Sequence, residues 1–317
     1  MRSLVCLIAL VGCLDEAVPR PTPETPARRL MKAELAPLVE QPTAVEQDRQ
    51  FGRDLEVRQA VRDGRLSLVP IVTRDLPEPS TSYITLQAGL ASGEVIANDT
   101  GVIETIMITN RAREPLAILG GELLIDGKQD RLVAYNTVVP AGKTFALTVL
   151  CAEPGRMEGW PRFNAGNALA EPTLRKLARN NDQLEVWQRI RDLVGENYRP
   201  AFAQQRHGVN ADRLRHLLAE LDGVDHREER SKTVGFAVAI DNRVVAIEHF
   251  ASPALYRDLR TLVIASYLPS SVGKPRLTEL GVGAREIRAF REKTGEGDPV
   301  PPRSPAGARN AAKSVAL

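Results

Sequence analysis

The chain of 317 residues is 43% hydrophobic, enough for a sizeable core, which excludes wholesale disorder. Its 42 basic and 40 acidic residues nearly cancel and show no basic block, and only 4% are aromatic. That balance lacks the electrostatic footprint and the stacking platforms of a nucleic-acid binder.

The first thirteen residues, MRSLVCLIALVGC, carry one charge, Arg2, then an apolar run from Leu4 to Val11, then Gly12-Cys13. A charged start, a short apolar core and a small residue before the cut define a secretory signal over residues 1–12. The run is shorter than the roughly 20 residues a membrane-spanning helix needs. Leu10-Val11-Gly12-Cys13 resembles the bacterial lipobox, in which the cysteine is acylated and becomes the new N-terminus. The alternatives are a merely apolar N-terminus or a misplaced start. Residues 13–43, rich in Pro and charge, read as an extended tether. Leu14 as the second mature residue favours an outer-membrane or periplasmic location; the alternative is a secreted soluble protein. The membrane, reached through the lipid, is the partner this N-terminus indicates.

The folded domain is expected over residues 44–292, as a single unit. Residues 44–64 read as one or two helical turns stopped by Gly64, and residues 65–73 as a strand that Pro70 places at a sheet edge. Residues 82–93 carry a helix start signal and a Gly stop, with Leu86, Leu90 and Ala91 on one side. Residues 94–151 form a run of five short strands separated by turn residues, the spacing of an antiparallel meander or sandwich. From 165 to 221 the pattern becomes helical: Val186, Trp187, Ile190, Leu193 and Val194 form one stripe, and Leu214, Leu217, Leu218 and Leu221 another behind an Asn210 cap. A hairpin turning at Asp241-Asn242 follows, then a helix with Ser252 as cap and Pro253 at its first position. Residues 293–317 read as a disordered tail. The fold class is α+β: a meander or sandwich-like antiparallel sheet packed by C-terminal helices, with the late hairpin free to rejoin the early sheet.

Chemistry concentrates in residues 120–131, GGELLIDGKQDR. Asp126-Gly127 signals a two-residue hairpin turn. That register sets Ile125 against Lys128, Leu124 against Gln129, Leu123 against Asp130 and Glu122 against Arg131. Alternation then gathers Glu122, Leu124, Gln129 and Arg131 on one face. The simplest reading is an exposed hairpin with one cross-strand ion pair, worth about 0.2–1 kcal/mol. Gly120 and Gly121 leave room for a bulge or for the close approach of a backbone or ligand. Cys151 alternates with Phe145, Leu147 and Val149 and reads as a small buried hydrophobe. Glu153 and Arg156 follow at the strand end, where loops commonly carry function.

These residues resemble a bacterial domain family associated with ADP-ribosylglycohydrolases and rhodanese-phosphatases, here called ARPP-type. Its pattern is similar to Gly121, Glu122, Leu124 and Gly127 through Arg131, then Thr137, Val139 and Pro140, then Cys151, Glu153, Gly155 and Arg156. Met157 stands where an aromatic is expected. SPALYRDL and SYL near the C-terminal helix extend the likeness over roughly residues 45–270. The resemblance implies a connection with NAD or ADP-ribose metabolism by association alone. It weights the polar residues toward a pocket for an anionic ligand, such as ADP-ribose, a nucleotide or a sugar phosphate, with Lys128, Gln129, Arg131 and Arg156 binding it. A hydrolase using Glu122 and Glu153 as an acid/base pair is the second reading, and an envelope scaffold or interaction protein the third. His207, His216, His226 and His249 show no metal-ligand spacing, and no phosphate-cradling Gly loop or Ser elbow appears, so no metal or cofactor is expected. Trp160 and Trp187 read as core or rim packing.

Overall fold

Alternating apolar positions in the first half of the chain close a six-stranded antiparallel barrel in the computed structural model. The structure describes residues 55–73, 82–155, 158–194, 208–227, 233–273, 282–295 and 312–316, all within one compact unit, Val39–Leu317. Cys13, the signal, the tether and Arg156 lie outside the described residues. None of the described helices is long and apolar enough to cross a membrane.

The barrel strands are β5 (Val95–Asp99), β6 (Thr105–Asn110), β8 (Glu122–Ile125), β9 (Arg131–Val133), β11 (Thr144–Cys151) and β12 (Arg162–Leu169), closed in the order β11-β6-β5-β12-β8-β9. Val95, Ala97, Ile106, Ile108, Leu124, Val133, Leu147, Val149 and Phe163 fill the interior. One end is plugged by α1 (Leu86–Ser92) and a three-stranded sheet of β4 (Ile84–Thr85), β7 (Leu116–Ile118) and β10 (Thr137–Val139), in which β4 and β7 run parallel. Leu86, Leu116 and Val139 from these elements join the same core. Helix α1 has the expected limits: Thr85 accepts a bond from the Ala88 N–H, and Gly93 ends it at φ 77°.

Five strands were expected over residues 94–151, but two of them break in mid-run. Gly120-Gly121 separates β7 from β8, and Tyr135-Asn136 separates β9 from β10, so each apolar run serves both barrel and plug. β12 was not legible as a strand, since residues from 165 onward read as helical. Its pairing slips between Ala165 and Leu169, with Asn167 at φ 49°, and that irregularity erases the alternation.

An open sheet joins early and late strands: β1 (Leu55–Val57), β2 (Val61–Asp63), β3 (Leu66–Thr73), β13 (Thr233–Ile240), β14 (Arg243–Phe250) and β15 (Ala312–Ala316). Their order is β1-β3-β13-β14-β15, with β2 also on β3. The late hairpin therefore does rejoin the early strand. Residues 55–63 are strands rather than helix: Gly64, at φ 59°, turns β2 back onto β3. β3 is an interior strand despite Pro70. The Pro70 carbonyl accepts from Arg58 on the side of β1 and β2, and the missing N–H faces the break between those two short strands. The sheet is covered on one face by α4 (Val209–Arg227) and α5 (Pro253–Tyr267), and on the other by α6 (Ala284–Gly295). Burial on both faces explains the nearly continuous apolar run of β13. Helix α4 begins at Val209, just ahead of the expected Asn210 cap, whereas Ser252 caps α5 through the Leu255 N–H as expected. Ala312–Ala316, in the segment read as a disordered tail, pairs antiparallel with β14.

Helices α2 (Pro172–Arg179) and α3 (Gln183–Val194) pack on the outer barrel wall through Leu174, Ala178, Val186 and Ile190. The whole is α+β, with antiparallel strands and the helices concentrated late in the chain.

Candidate functional site

The strand directions bring three segments to the open end of the barrel: residues 100–104, residues 126–130, and a third described as 152–155 and 158–161. Lys128, Gln129, Arg131 and Glu153 all belong to this mouth, and Arg156 lies outside the described residues. These segments lie at one end of the barrel, through a different hairpin from the one expected.

Leu124, not Glu122, stands opposite Arg131, and Leu123 opposes Leu132. The connection is five residues long, 126–130, rather than the two of a tight turn. Only Asp126 has positive φ (69°), whereas a two-residue primed turn requires it at both positions. Gly127 is needed for another reason: a Cβ there would overlap the Phe163 ring. The loop is held by side chains instead. Asp130 Oδ1 accepts from the Asp126 N–H at 3.3 Å, and Glu153 Oε1 accepts from the Asp130 N–H at 3.0 Å. Glu153 is thereby a loop anchor.

A shift of two residues preserves parity, so Arg131 still shares a face with Leu124, and that face is the barrel interior. Cys151 pairs with Arg131 across β9 and β11 and points the same way. Arg131 Nη1 donates to Gln129 Oε1 at 2.7 Å and lies 2.7 Å from Cys151 Sγ, while the thiol donates to Gln129 Oε1 at 3.1 Å. Gln183 at the start of α3 clamps the strand end, accepting from the Cys151 N–H at 2.7 Å and donating to its carbonyl at 2.9 Å. Burial raises the Cys151 thiol pKa, and the Arg131 charge only partly offsets it. Cys151 is therefore a buried neutral thiol, as expected, but with polar partners.

Arg131 itself is 3% exposed. Its Nε has no hydrogen-bond partner, and no carboxylate among the described residues lies within ion-pair distance. Lys128 is exposed on the rim. Trp160, read as packing, is 78% exposed on the third loop.

Glu122 lies elsewhere. It begins β8 at the plugged end, roughly 10 Å along the strand from the mouth. Its Oε2 accepts from the Leu119 N–H at 2.7 Å, and Oε1 is buried without a partner. Burial raises its pKa to about 8, against the smaller pull of that N–H. Glu122 and Glu153 thus anchor opposite ends of β8 and do not face one reacting atom.

Beside Glu122, Gly121 at φ 91° lets the Arg175 side chain lie where a Cβ would be. Arg175 Nη2 continues to Glu248 Oε1 at 2.7 Å and Tyr267 Oη at 2.7 Å, and Tyr267 donates to Glu248 at 2.5 Å. Burial raises the Tyr267 pKa well above its ordinary value. This interlock ties α2 to β14 and α5. The sequence reading missed Arg175 and Glu248, whose separation of 73 residues leaves no local signal. Tyr267 lay within the SYL segment noted for the resemblance.

A closed antiparallel barrel with a buried arginine, thiol and amide at its mouth, joined to a helix-covered sheet, defines an α+β domain with one polar interior end. The chain belongs to the ARG and Rhodanese-Phosphatase-superfamily-associated Protein domain family, which matches residues 54–310. That span runs further toward the C-terminus than the segments that carried the resemblance. No curated protein and no solved structure matches the chain.

Proposed function

We propose that this domain binds a small anionic ligand at the barrel mouth, with Arg131 as the central cation and Lys128 at the rim. The observation that carries this reading is the buried Arg131 guanidinium, its Nε without a partner and no carboxylate within ion-pair distance among the described residues. A buried charge left unpaired costs several kcal/mol, and a bound oxyanion removes that cost. Arginine's planar fork suits phosphate and carboxylate groups, and Gln129 fixes its orientation through Nη1. Arg156, which lies outside the described residues, is three positions after Glu153 in sequence and supplies a further cation in this reading. The lipobox-like tetrapeptide and the Pro-rich segment behind it support export and lipid anchoring through Cys13, with the domain held off an envelope membrane.

The test is a thermal-shift titration of the full-length protein with inorganic phosphate, AMP, ADP-ribose and ribose 5-phosphate. A ligand at 100 times its Kd adds about 2.7 kcal/mol of stability. Arg131→Gln, shown to be folded by circular dichroism, should abolish the shift. A ligand that stabilises wild type and Arg131→Gln equally places the site elsewhere.

A further inference from the structure

Trp160 is the largest exposed apolar side chain among the described residues, yet its backbone neighbours are not loose. Gly159 packs so closely on the Gly127 carbonyl that a side chain there would overlap it. On the other side, the Pro161 carbonyl accepts from the Asp99 N–H at 2.7 Å. The Trp160 backbone is therefore held at the mouth between the first and second loops, one residue from each tether. The first loop is also built: Asp99 Oδ1 accepts from the Gly101 N–H at 2.6 Å, and Thr100 Oγ1 donates to the Thr105 carbonyl at 2.6 Å. It presents Val102 and Ile103, 46% and 50% exposed, beside the strand that pairs with β12. Rigid loops displaying an indole and two aliphatic side chains into water form a contact surface in waiting.

Arg131 supplies a second, independent pointer to a ligand at the same mouth, since its Nε is buried and unpartnered. In the barrel wall β12 and β9 are separated by one strand, so their axes lie about 10 Å apart. Two residues set on strands that far apart exceed the size of one inorganic anion, so a ligand touching both needs a second group beyond its anionic one.

We infer that the ligand is bipartite: an anionic group meets Arg131 while a flat aromatic ring, of the nucleobase class, stacks on Trp160. This rests on the anion-binding reading and narrows its ligand class. The ring recognition is by a π-face and so tolerates different bases, whereas the anion sets the depth of insertion.

The experiment compares AMP with ribose 5-phosphate, which lacks the ring, by calorimetric titration of the full-length wild type, Trp160→Ala and Arg131→Lys. Trp160→Ala removes an exposed side chain, so folding is retained. It should weaken AMP by about tenfold or more and leave ribose 5-phosphate within about twofold. Arg131→Lys should weaken both ligands. AMP should also quench the part of the tryptophan emission that Trp160→Phe removes, the remainder coming from Trp187. Equal affinities for AMP and ribose 5-phosphate, unchanged by Trp160→Ala, overturn the stacking inference while leaving the anion site intact. Binding of neither by wild type overturns both.

Discussion

Glu122 makes stability depend on pH in a direction opposite to that of most carboxylates. Its side chain is 2% exposed, with one oxygen on the Leu119 N–H and the other without a partner. In the folded chain its pKa rises to about 8, from an ordinary value of 4.5. Between those two values the folded protein holds a proton that the unfolded chain has released. Stability therefore falls as pH rises across that window, by about 1.4 kcal/mol per pH unit. Below the window both states are protonated, and above it both are ionised. The full excursion is on the order of 5 kcal/mol, an upper figure because an ionised interior carboxylate draws in water and relaxes. For a domain stable by about 5–15 kcal/mol this is a large share.

Glu122→Gln isolates the effect. Glutamine keeps an acceptor for the Leu119 N–H and replaces the protonated O–H with an N–H of similar shape. At pH 5 the variant should match wild type to within about 1 kcal/mol. At pH 9 it should be the more stable by several kcal/mol, read as denaturant midpoints at constant slope. A wild-type-minus-variant difference that stays flat from pH 5 to pH 9 refutes the reasoning, because it would mean Glu122 ionises as easily inside the protein as outside.

The remaining expectations are independent of that one. Arg175→Ala should cost about 3–5 kcal/mol in chemical denaturation by leaving Glu248 buried without its cation, and a paired Arg175→Met, Glu248→Leu replacement should recover part of it. Gly121→Ala should destabilise by more than about 1 kcal/mol, because its φ of 91° is strained for alanine and its Cβ displaces Arg175. Cys13→Ser should move the protein from the membrane to the soluble fraction; a mature mass that retains Met1 and lacks acyl chains argues against the anchor. Glu153→Gln should leave AMP or phosphate affinity within a few-fold if Glu153 only anchors the Asp130 N–H, as judged by the same titrations.

What was legible in the chain was local. Ser252-Pro253 starts α5, Thr85 and Gly93 bound α1, and Asp241-Asn242 makes a true two-residue turn with φ of 51° and 61°. Asp126-Gly127 carries a stronger turn signal than Asp241-Asn242, yet it failed. The later hairpin can obey its own turn because β13 and β14 are eight residues each and pair along their length. β8 and β9 have only four and three residues, and each must also pair with β12 or β11 to close the barrel. Closure overrides the turn, and Glu153 and Phe163, remote in sequence, hold the longer loop. No local pattern encodes those contacts, nor the Arg175 interlock.

The polar stretch from Gly120 to Arg131 is dense because one short strand traverses the barrel from end to end. Its first residues, Gly121 and Glu122, sit at the plugged end, where Arg175 needs the missing Cβ and the carboxyl stays buried and protonated. Its last, Gln129 and Arg131, sit at the mouth, where the guanidinium has no carboxylate within ion-pair distance among the described residues. Proximity in sequence, read as convergence on one pocket, is here the length of a strand separating two environments. Two separate physical demands meet in this stretch: an interlock beside Glu122 that holds barrel to sheet, and a buried cation at the mouth, which the proposed function reads as the ligand site. Substitutions at the two ends should accordingly separate, with Glu122 and Gly121 moving stability and its pH dependence while Arg131 moves affinity.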